Sequence, residues 1–181
     1  PSSAASDVYK RQGIDSTDAH SALSDSIMTA KVLNIVKKKQ PSTWESFFKT
    51  ANKSDTETII KKGEIITLNE YYYGKSRLHL VAPLHQKYCM HPIYAGWYYA
   101  FDLRIDIEPL LNLSINELKV EMKKSPKFLR TIRSNKAPII VDAKYGMQAE
   151  PYSAMDKSLI NKRADIVKNN EKFSQNILHA L

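Results

Sequence analysis

The sequence predicts an α+β fold in which helices precede, interrupt and follow a group of short strands. Apolar residues recur at helical spacing between Leu23 and Val36. From Glu64 onward, short β-branched or aromatic segments are bounded by Gly, Pro and Asn. The 181 residues suit one domain of ordinary size, or one domain together with parts of others.

The first twelve residues are expected to lie outside the folded protein. Residues 1–6 are small and polar, and the segment DVYKRQ at 7–12 resembles the in-frame translation of a transposon end used to fragment DNA for sequencing. We interpret residues 1–12 as a disordered adapter artefact, and an ordinary disordered leader is the alternative.

The first predicted helix carries a wide apolar stripe. The segment KKKQP at 37–41 ends it, because lysines complement the helix C-terminus and proline blocks continuation. A wide stripe requires a large partner surface, and the preceding residues supply none. We therefore expect the stripe from Leu23 to Val36 to be partly exposed in this chain, or to be packed differently from its packing in a longer protein.

Further helices are predicted from apolar spacing and capping residues. A short helix is expected over residues 43–52, and Ser54 with Glu57 forms a capping box for another, which Gly63 closes.

Two more helical segments are predicted in the second half of the chain. Ser114 and Glu117 form another capping box, and that helix ends before Pro126. A last helical stretch begins near Asp156 and extends towards Leu181.

Five segments have the composition and length of strands. They are EIITL at 64–68, LHLVAP at 78–83, GWYYAFDL at 96–103, FLRTIR at 128–133 and PIIVDA at 138–143. Five short strands predict either a small barrel or an open sheet.

The charge and cysteine content limit the class of protein. A net charge of +8 favours a polyanionic partner, although a well-solvated basic surface is the alternative. The single Cys89 excludes an internal disulfide, and no apolar run approaches the roughly 18 residues needed to span a bilayer. We expect a cytoplasmic monomer without a membrane partner. His85, Cys89 and His91 lack an evident fourth ligand, which favours a loop over a metal site.

His20 and Asp25 form a candidate catalytic pair. Five positions correspond to about 140° around a helix, so the two side chains converge only if His20 lies in the turn before the helix. Carboxylates hold the Mg²⁺ ions of two-metal phosphodiester cleavage, and a nearby imidazole can accept a proton from the attacking water. Asp25 is the candidate metal ligand and His20 the candidate general base, and a surface or capping histidine is the alternative.

The segment EYYYGKSRLHL at 70–80 combines aromatic residues with Lys75 and Arg77. Such residues can stack on bases and neutralise phosphates. On a regular strand Tyr71 and Tyr73 share one side and Tyr72 takes the other. The alternative is a strand and turn with one tyrosine face buried.

The segment KKSPKFLRTIRSNK at 123–136 carries six cations and no acidic residue. Arg130 and Arg133 point to opposite faces of a regular strand, so only one of them is expected to meet a given anion. DNA phosphate and an acidic protein tail are the candidate ligands, and a solvated sheet edge is the alternative.

Short motifs between Asp18 and Ala143 follow the order and approximate spacing of those in a known enzyme family. His20, Ala22 and Asp25 match the third motif of the DEDDh 3′→5′ exonucleases. The other matching segments are KKKQP at 37–41, VAPL at 81–84, HP at 91–92, DIEPLL at 106–111 and NKAP at 135–138. Together they make the chain resemble the bacterial exonuclease I family.

This resemblance implies a domain organisation. Residues 13–40 would be the last helix of a truncated ribonuclease-H-like nuclease domain. Residues 41–150 would form a small Src-homology-3-like β-barrel domain with inserted helices, and residues 151–181 would begin a C-terminal helical segment.

The resemblance also implies an activity. The family degrades single-stranded DNA from the 3′ end to mononucleotides in DNA repair and recombination, with two Mg²⁺ ions. Its Asp-x-Glu pair and a further Asp are not found before His20, so this polypeptide is expected to be inactive by itself. A non-catalytic module that binds single-stranded DNA or a partner protein is the alternative.

The expected partners are single-stranded DNA and the acidic tail of the single-stranded-DNA-binding protein. The family's barrel lines its DNA channel, which supports six residues as DNA-binding candidates: Tyr71, Tyr73, Lys75, Arg77, Arg130 and Arg133. Lys168 is the candidate for binding the tail.

Overall fold

The computed structural model describes Gly13 and residues 21–181, and for Thr43 it describes the backbone alone. The chain divides between Ser46 and Phe47 into two compact units. The predicted adapter segment, residues 1–12, lies outside the described residues. Within the described part, no helix is long and apolar enough to cross a membrane.

The first unit contains helix α1, Ala22–Lys39. Ser21 caps its start, because the Ser21 hydroxyl accepts a hydrogen bond from the Ser24 amide at 3.1 Å. Lysines fill the last turn, as the sequence predicts. The expected partial exposure of the apolar stripe is confirmed, since Leu23 is 72% exposed whereas Met28 is 2% exposed.

Two short helices follow α1. Helix α2, Pro41–Lys49, begins at a proline, whose missing N–H and fixed φ suit the first helical turn. Helix α3, Lys53–Lys61, is capped by Asn52, whose side chain accepts a hydrogen bond from the Asp55 amide at 2.9 Å. The predicted cap at Ser54 is therefore wrong, because Ser54 already lies inside the first turn.

Five strands form one antiparallel sheet. They are β1 Ile66–Tyr72, β2 Lys75–Pro83, β3 Trp97–Asp102, β4 Leu129–Arg133 and β5 Ile139–Asp142. Their order across the sheet is β4-β3-β2-β1-β5. All five predicted strands are confirmed, and β1 and β2 extend towards each other because they form a hairpin.

The sheet is open at its two ends. Strands β4 and β5 lie at opposite edges and do not pair with each other in the described part of the chain. The predicted α+β class is confirmed, and the structure has the open form of the sheet. A closed Src-homology-3-like barrel is not confirmed.

Four helices belong to the second half of the chain: α4 Ile115–Glu121, α5 Ala143–Met147, α6 Lys157–Asn169 and α7 Glu171–Ala180. The predicted capping box of α4 is confirmed, with both the Ser114 and the Glu117 side chains engaged. The prediction of a single terminal helix is wrong. Asn170 interrupts it, and the Asn170 side chain accepts a hydrogen bond from the Phe173 amide at 2.8 Å to start α7.

Side chains of the strands and of these helices share one hydrophobic core. The ring of Phe101 on β3 is fully buried, 5.7 Å from the ring of Phe128 and 6.2 Å from that of Phe173 on α7. Leu80 on β2 and Ile160 on α6 are also fully buried. Burial of large apolar side chains is the main stabilising contribution in such a fold, and it fixes the strands that carry the polar residues of the candidate site.

Candidate nucleic-acid interface

The predicted catalytic pair belongs to the start of α1. His20 lies outside the described residues, and Asp25 is exposed in the first turn. No group of three or more His, Cys, Asp or Glu side chains that could hold a metal occurs in the part of the chain that the structure describes. The described residues therefore do not by themselves fit a divalent-metal site, and no chemical step through an ion follows from them.

The β1–β2 hairpin carries four of the predicted DNA contacts, all exposed: Tyr71, Tyr73, Lys75 and Arg77. Tyr73 and Gly74 form its two-residue turn, with φ angles of 51° and 75°. Positive φ at both positions matches the twist of the flanking strands. The prediction that Tyr73 shares a strand face with Tyr71 is wrong, because strand alternation ends at Tyr72.

The register of the hairpin determines which tyrosine lies beside the cations. Lys75 is opposite Tyr72 and Arg77 is opposite Glu70, so these four side chains share one face. The Tyr72 hydroxyl donates a hydrogen bond to Glu70 Oε1 at 2.9 Å. Burial and this hydrogen bond raise the pKa of Tyr72. The sequence analysis did not select Tyr72 as the tyrosine beside Lys75 and Arg77. The strand face that each tyrosine takes depends on which two residues form the turn, and the sequence alone did not indicate these.

Arg130 is largely buried and is held by two carboxylates. Its guanidinium Nε and Nη2 donate hydrogen bonds to Asp102 Oδ2 at 3.2 and 3.0 Å, and Nη1 donates to Glu70 Oε2 at 3.3 Å. The side chain is only 12% exposed. Arg130 was predicted as a DNA contact, and the structure shows that two carboxylates already neutralise its charge and orient it.

Asp102 is the centre of this buried polar network. Its carboxylate is 0% exposed, accepts a hydrogen bond from the Tyr152 hydroxyl at 2.6 Å and lies 3.2 Å from Arg104 Nε. His79 lies between the two carboxylates, with Nδ1 3.4 Å from Asp102 and Nε2 3.3 Å from Glu70. Burial opposes ionisation of Asp102, but the adjacent His79 imidazole, the hydrogen bond from Tyr152 and the arginine charges hold its pKa below the ordinary value.

A groove of about 580 Å³ lies between β1, β4 and β5. Three exposed cations, Lys127, Arg133 and Lys136, line it, and no ion pair to any of them occurs among the described residues. The acidic lining residue is Glu70, which Tyr72 and Arg130 already engage. Unpaired cations in a concave surface attract phosphate groups, so we name this surface the basic groove.

Arg133 also contacts an aromatic ring. Trp97 on β3 is paired with Arg133 across the two strands, and the guanidinium carbon of Arg133 lies 4.3 Å from the centroid of the Trp97 ring. Arg130, by contrast, points towards Glu70 on β1. The two arginines thus differ in their partners, although both line the basic groove.

Lys168 lies exposed in the last turn of α6, at a second, smaller concave surface. This cavity of about 200 Å³ is bounded by Lys168, Lys61, Lys62 and Gly63, among others. The Lys168 side chain passes over Gly63, and its Cε lies 3.4 Å from the position that a Cβ on Gly63 would take. Three lysines therefore converge on one small cavity.

Comparisons with known proteins agree with the motifs. No family model matches the chain. The curated exodeoxyribonuclease I of Buchnera aphidicola is 27% identical over 187 aligned positions, which cover 95% of this chain and 43% of that protein. The chain thus spans less than half of the length of this relative.

Solved structures of exonuclease I have a similar fold. E. coli exonuclease I in complex with a dA16 oligonucleotide matches with a TM-score of 0.69 and 20% identity, over 95% of this chain and 39% of that one. An ExoI/SSB-Ct complex matches with a TM-score of 0.68 and 20% identity, over 95% and 38%. The chain is therefore similar to exodeoxyribonuclease I over nearly its whole length, which confirms the resemblance predicted from its motifs.

Proposed function

We propose that this chain is part of a 3′→5′ exodeoxyribonuclease that degrades single-stranded DNA to mononucleotides in DNA repair and recombination. The observation that carries the proposal is the similarity to a curated exodeoxyribonuclease over 95% of the chain. Mg²⁺ is the proposed metal ion, held in the intact enzyme by Asp25 together with further carboxylates, and His20 is the proposed general base.

The domain assignment belongs to the same proposal. Residues 13–40 end the nuclease domain, residues 41–150 form the Src-homology-3-like domain and residues 151–181 begin the connecting helical segment. The order of motifs along the chain supports these boundaries.

The proposed role of the second domain is to hold the DNA strand. Phosphates would lie in the basic groove on Lys127, Arg133 and Lys136, and Lys75 and Arg77 would extend the cationic surface along the hairpin. The exposed rings of Tyr71, Tyr72 and Tyr73 would contact bases. Stacking on aromatic rings and pairing with phosphates recognise single strands without regard to sequence.

A direct test uses 3′-end-labelled single-stranded DNA, Mg²⁺ and the 181-residue chain. We expect the chain to bind the DNA without releasing labelled mononucleotide, because Asp25 alone cannot hold two metal ions. Release of mononucleotide by the purified chain, abolished by Asp25→Asn, would contradict this part of the proposal.

A non-catalytic binding module is the second candidate, and the basic groove alone would support it. The coding sequence before residue 13 distinguishes the two. A strand carrying Asp-x-Glu favours the exonuclease, whereas an initiator methionine directly before Gly13 favours the module.

The cavity at Lys168 is the proposed site for the acidic tail of a single-stranded-DNA-binding protein. Three converging lysines complement an acidic peptide. In a titration with a labelled acidic tail peptide, Lys168→Glu should weaken binding by roughly 10-fold or more, since one attraction becomes a repulsion. Lys157→Glu, on the same helix but outside the cavity, is the matched control. Equal weakening by both variants would show a general charge effect and remove Lys168 from the site.

A further inference from the structure

The loop between the short helical turn Gln86–Tyr88 and strand β3 exposes apolar and aromatic side chains that the basic groove does not use. Ile93 is 79% exposed, Tyr94 is 54% exposed and Met90 is 47% exposed. These three residues lie within five positions of one another. A cluster of this kind at a protein surface marks an interaction site more often than isolated apolar residues do.

The loop is held in one conformation by its own hydrogen bonds. The His91 amide donates to Trp97 O at 2.8 Å, and the Trp97 amide donates to Tyr94 O at 3.1 Å. His91 Nδ1 accepts hydrogen bonds from the Ile93 and Tyr94 amides at 3.0 and 3.1 Å. The exposed side chains are therefore pre-organised, which lowers the entropic cost of binding a ligand.

Aromatic rings in the loop pack against one another. The ring centroids of His91 and Tyr94 are 4.5 Å apart, and those of Tyr94 and Trp97 are 5.0 Å apart. Arg133 lies over the Trp97 ring and also lines the basic groove. The aromatic surface is thus continuous with the groove through one residue.

Two cations, Arg133 and Lys53, border these rings. Lys53 Cε lies 3.6 Å from the position that a Cβ on Gly96 would take, so a second cation borders the loop. Glu57 lies 3.7 Å from the ammonium groups of both Lys53 and Lys61 and partly neutralises them. Cations beside rings with an exposed face complement a nucleic acid strand better than they complement an aliphatic protein surface.

We propose that the surface formed by His91, Ile93, Tyr94 and Trp97 is a base-stacking platform for single-stranded DNA. A base stacks on the exposed ring of Tyr94 while the adjoining phosphates lie on Arg133 at the end of the basic groove. This inference rests on the proposed binding of single-stranded DNA and adds a second contact region to it. This second region contributes to binding affinity through contacts with bases and not through contacts with phosphates.

The test compares Tyr94→Ala with the wild-type chain in fluorescence anisotropy titrations, using a labelled oligothymidylate and an abasic oligonucleotide of the same length. We expect Tyr94→Ala to weaken oligothymidylate binding roughly 5- to 100-fold with an unchanged salt slope. The abasic strand should bind both proteins equally. Tyr94→Phe should bind like the wild type, and Ile115→Ala, an exposed apolar change on α4, is the control.

A second measurement does not depend on a variant of the loop. Trp44 and Trp97 are the two tryptophans of the chain, so Trp44→Phe leaves Trp97 as the reporter. Its fluorescence should be quenched by oligothymidylate and not by the abasic strand. If the wild type binds DNA but Tyr94→Ala binds equally well and Trp97 is not quenched, the platform is refuted while the proposed function stands. If the wild type binds neither strand at about 50 mM salt, the proposed function itself fails.

Discussion

Replacing Asp102 with Asn should lower the free energy of unfolding by about 3–5 kcal/mol, because it removes the buried carboxylate that faces the partly buried arginines Arg104 and Arg130. Asp102 is fully buried and contacts Arg130 at 3.0 Å and Arg104 at 3.2 Å. Asn has the same shape and can still accept the Tyr152 hydrogen bond, so the loss reports on charge and not on a cavity. Urea denaturation followed by circular dichroism measures it.

The matched control for this variant is Asp106→Asn. Asp106 is 56% exposed and lies 3.8 Å from Arg163, and exposed pairs contribute about 0–1 kcal/mol. Tyr152→Phe, which removes one hydrogen bond to Asp102, should fall between the two at about 1–2 kcal/mol. A change below about 1 kcal/mol for Asp102→Asn would contradict the account of the buried network.

The network also predicts the acid dependence of stability. The pKa of Asp102 is lower in the folded chain than in the unfolded chain, so its contribution is present above about pH 4 and is lost as the pH falls below that value. The Asn variant lacks this contribution at every pH. The difference in stability between the two proteins should therefore narrow as the solution is acidified towards the lowered pKa.

Reversing two charges in the basic groove should have the largest effect on DNA binding. Lys127→Glu together with Lys136→Glu replaces two attractions by two repulsions, and we expect affinity for an oligothymidylate to fall by on the order of 100-fold at about 50 mM salt. The corresponding double alanine variant should reduce the slope of log K against log salt by about 1.4, because each phosphate contact on a single strand contributes about 0.7.

The control for the groove variant is a second double variant with the same change in net charge, made at lysines outside the basic groove. Lys119→Glu on α4 with Lys172→Glu on α7 alters two exposed lysines that do not line the groove. If this pair weakens binding as much as the groove pair does, the DNA does not lie in the basic groove. Loss in the groove pair alone supports the proposed path.

Local sequence signals predicted most of the secondary structure. The five strands follow from short β-branched and aromatic runs, and the Ser114–Glu117 capping box uses side chains three residues apart. Competition between neighbouring capping residues was harder to predict. Asn52 precedes Ser54 and captures the helix start, and Asn170 divides a helical stretch whose apolar spacing continues on both sides.

The candidate site could be predicted only in part, because its contacts join residues distant in sequence. Arg130 belongs to a basic run, but its partners Glu70 and Asp102 lie 60 and 28 positions away. Only the register across four strands brings them together. The same register places Arg133 on Trp97, a contact that composition alone does not indicate.

The central claim, that this chain holds single-stranded DNA through the basic groove, is tested most directly by one titration series. Fluorescence anisotropy of a labelled oligothymidylate with the 181-residue chain, from about 50 to about 200 mM salt, gives the affinity and its salt dependence together. We predict binding that weakens linearly in log–log form, with a slope between about −2 for three phosphate contacts at Lys127, Arg133 and Lys136 and about −3.5 when Lys75 and Arg77 also contact phosphates. No binding at the lowest salt, or an affinity that does not change with salt, would contradict the claim.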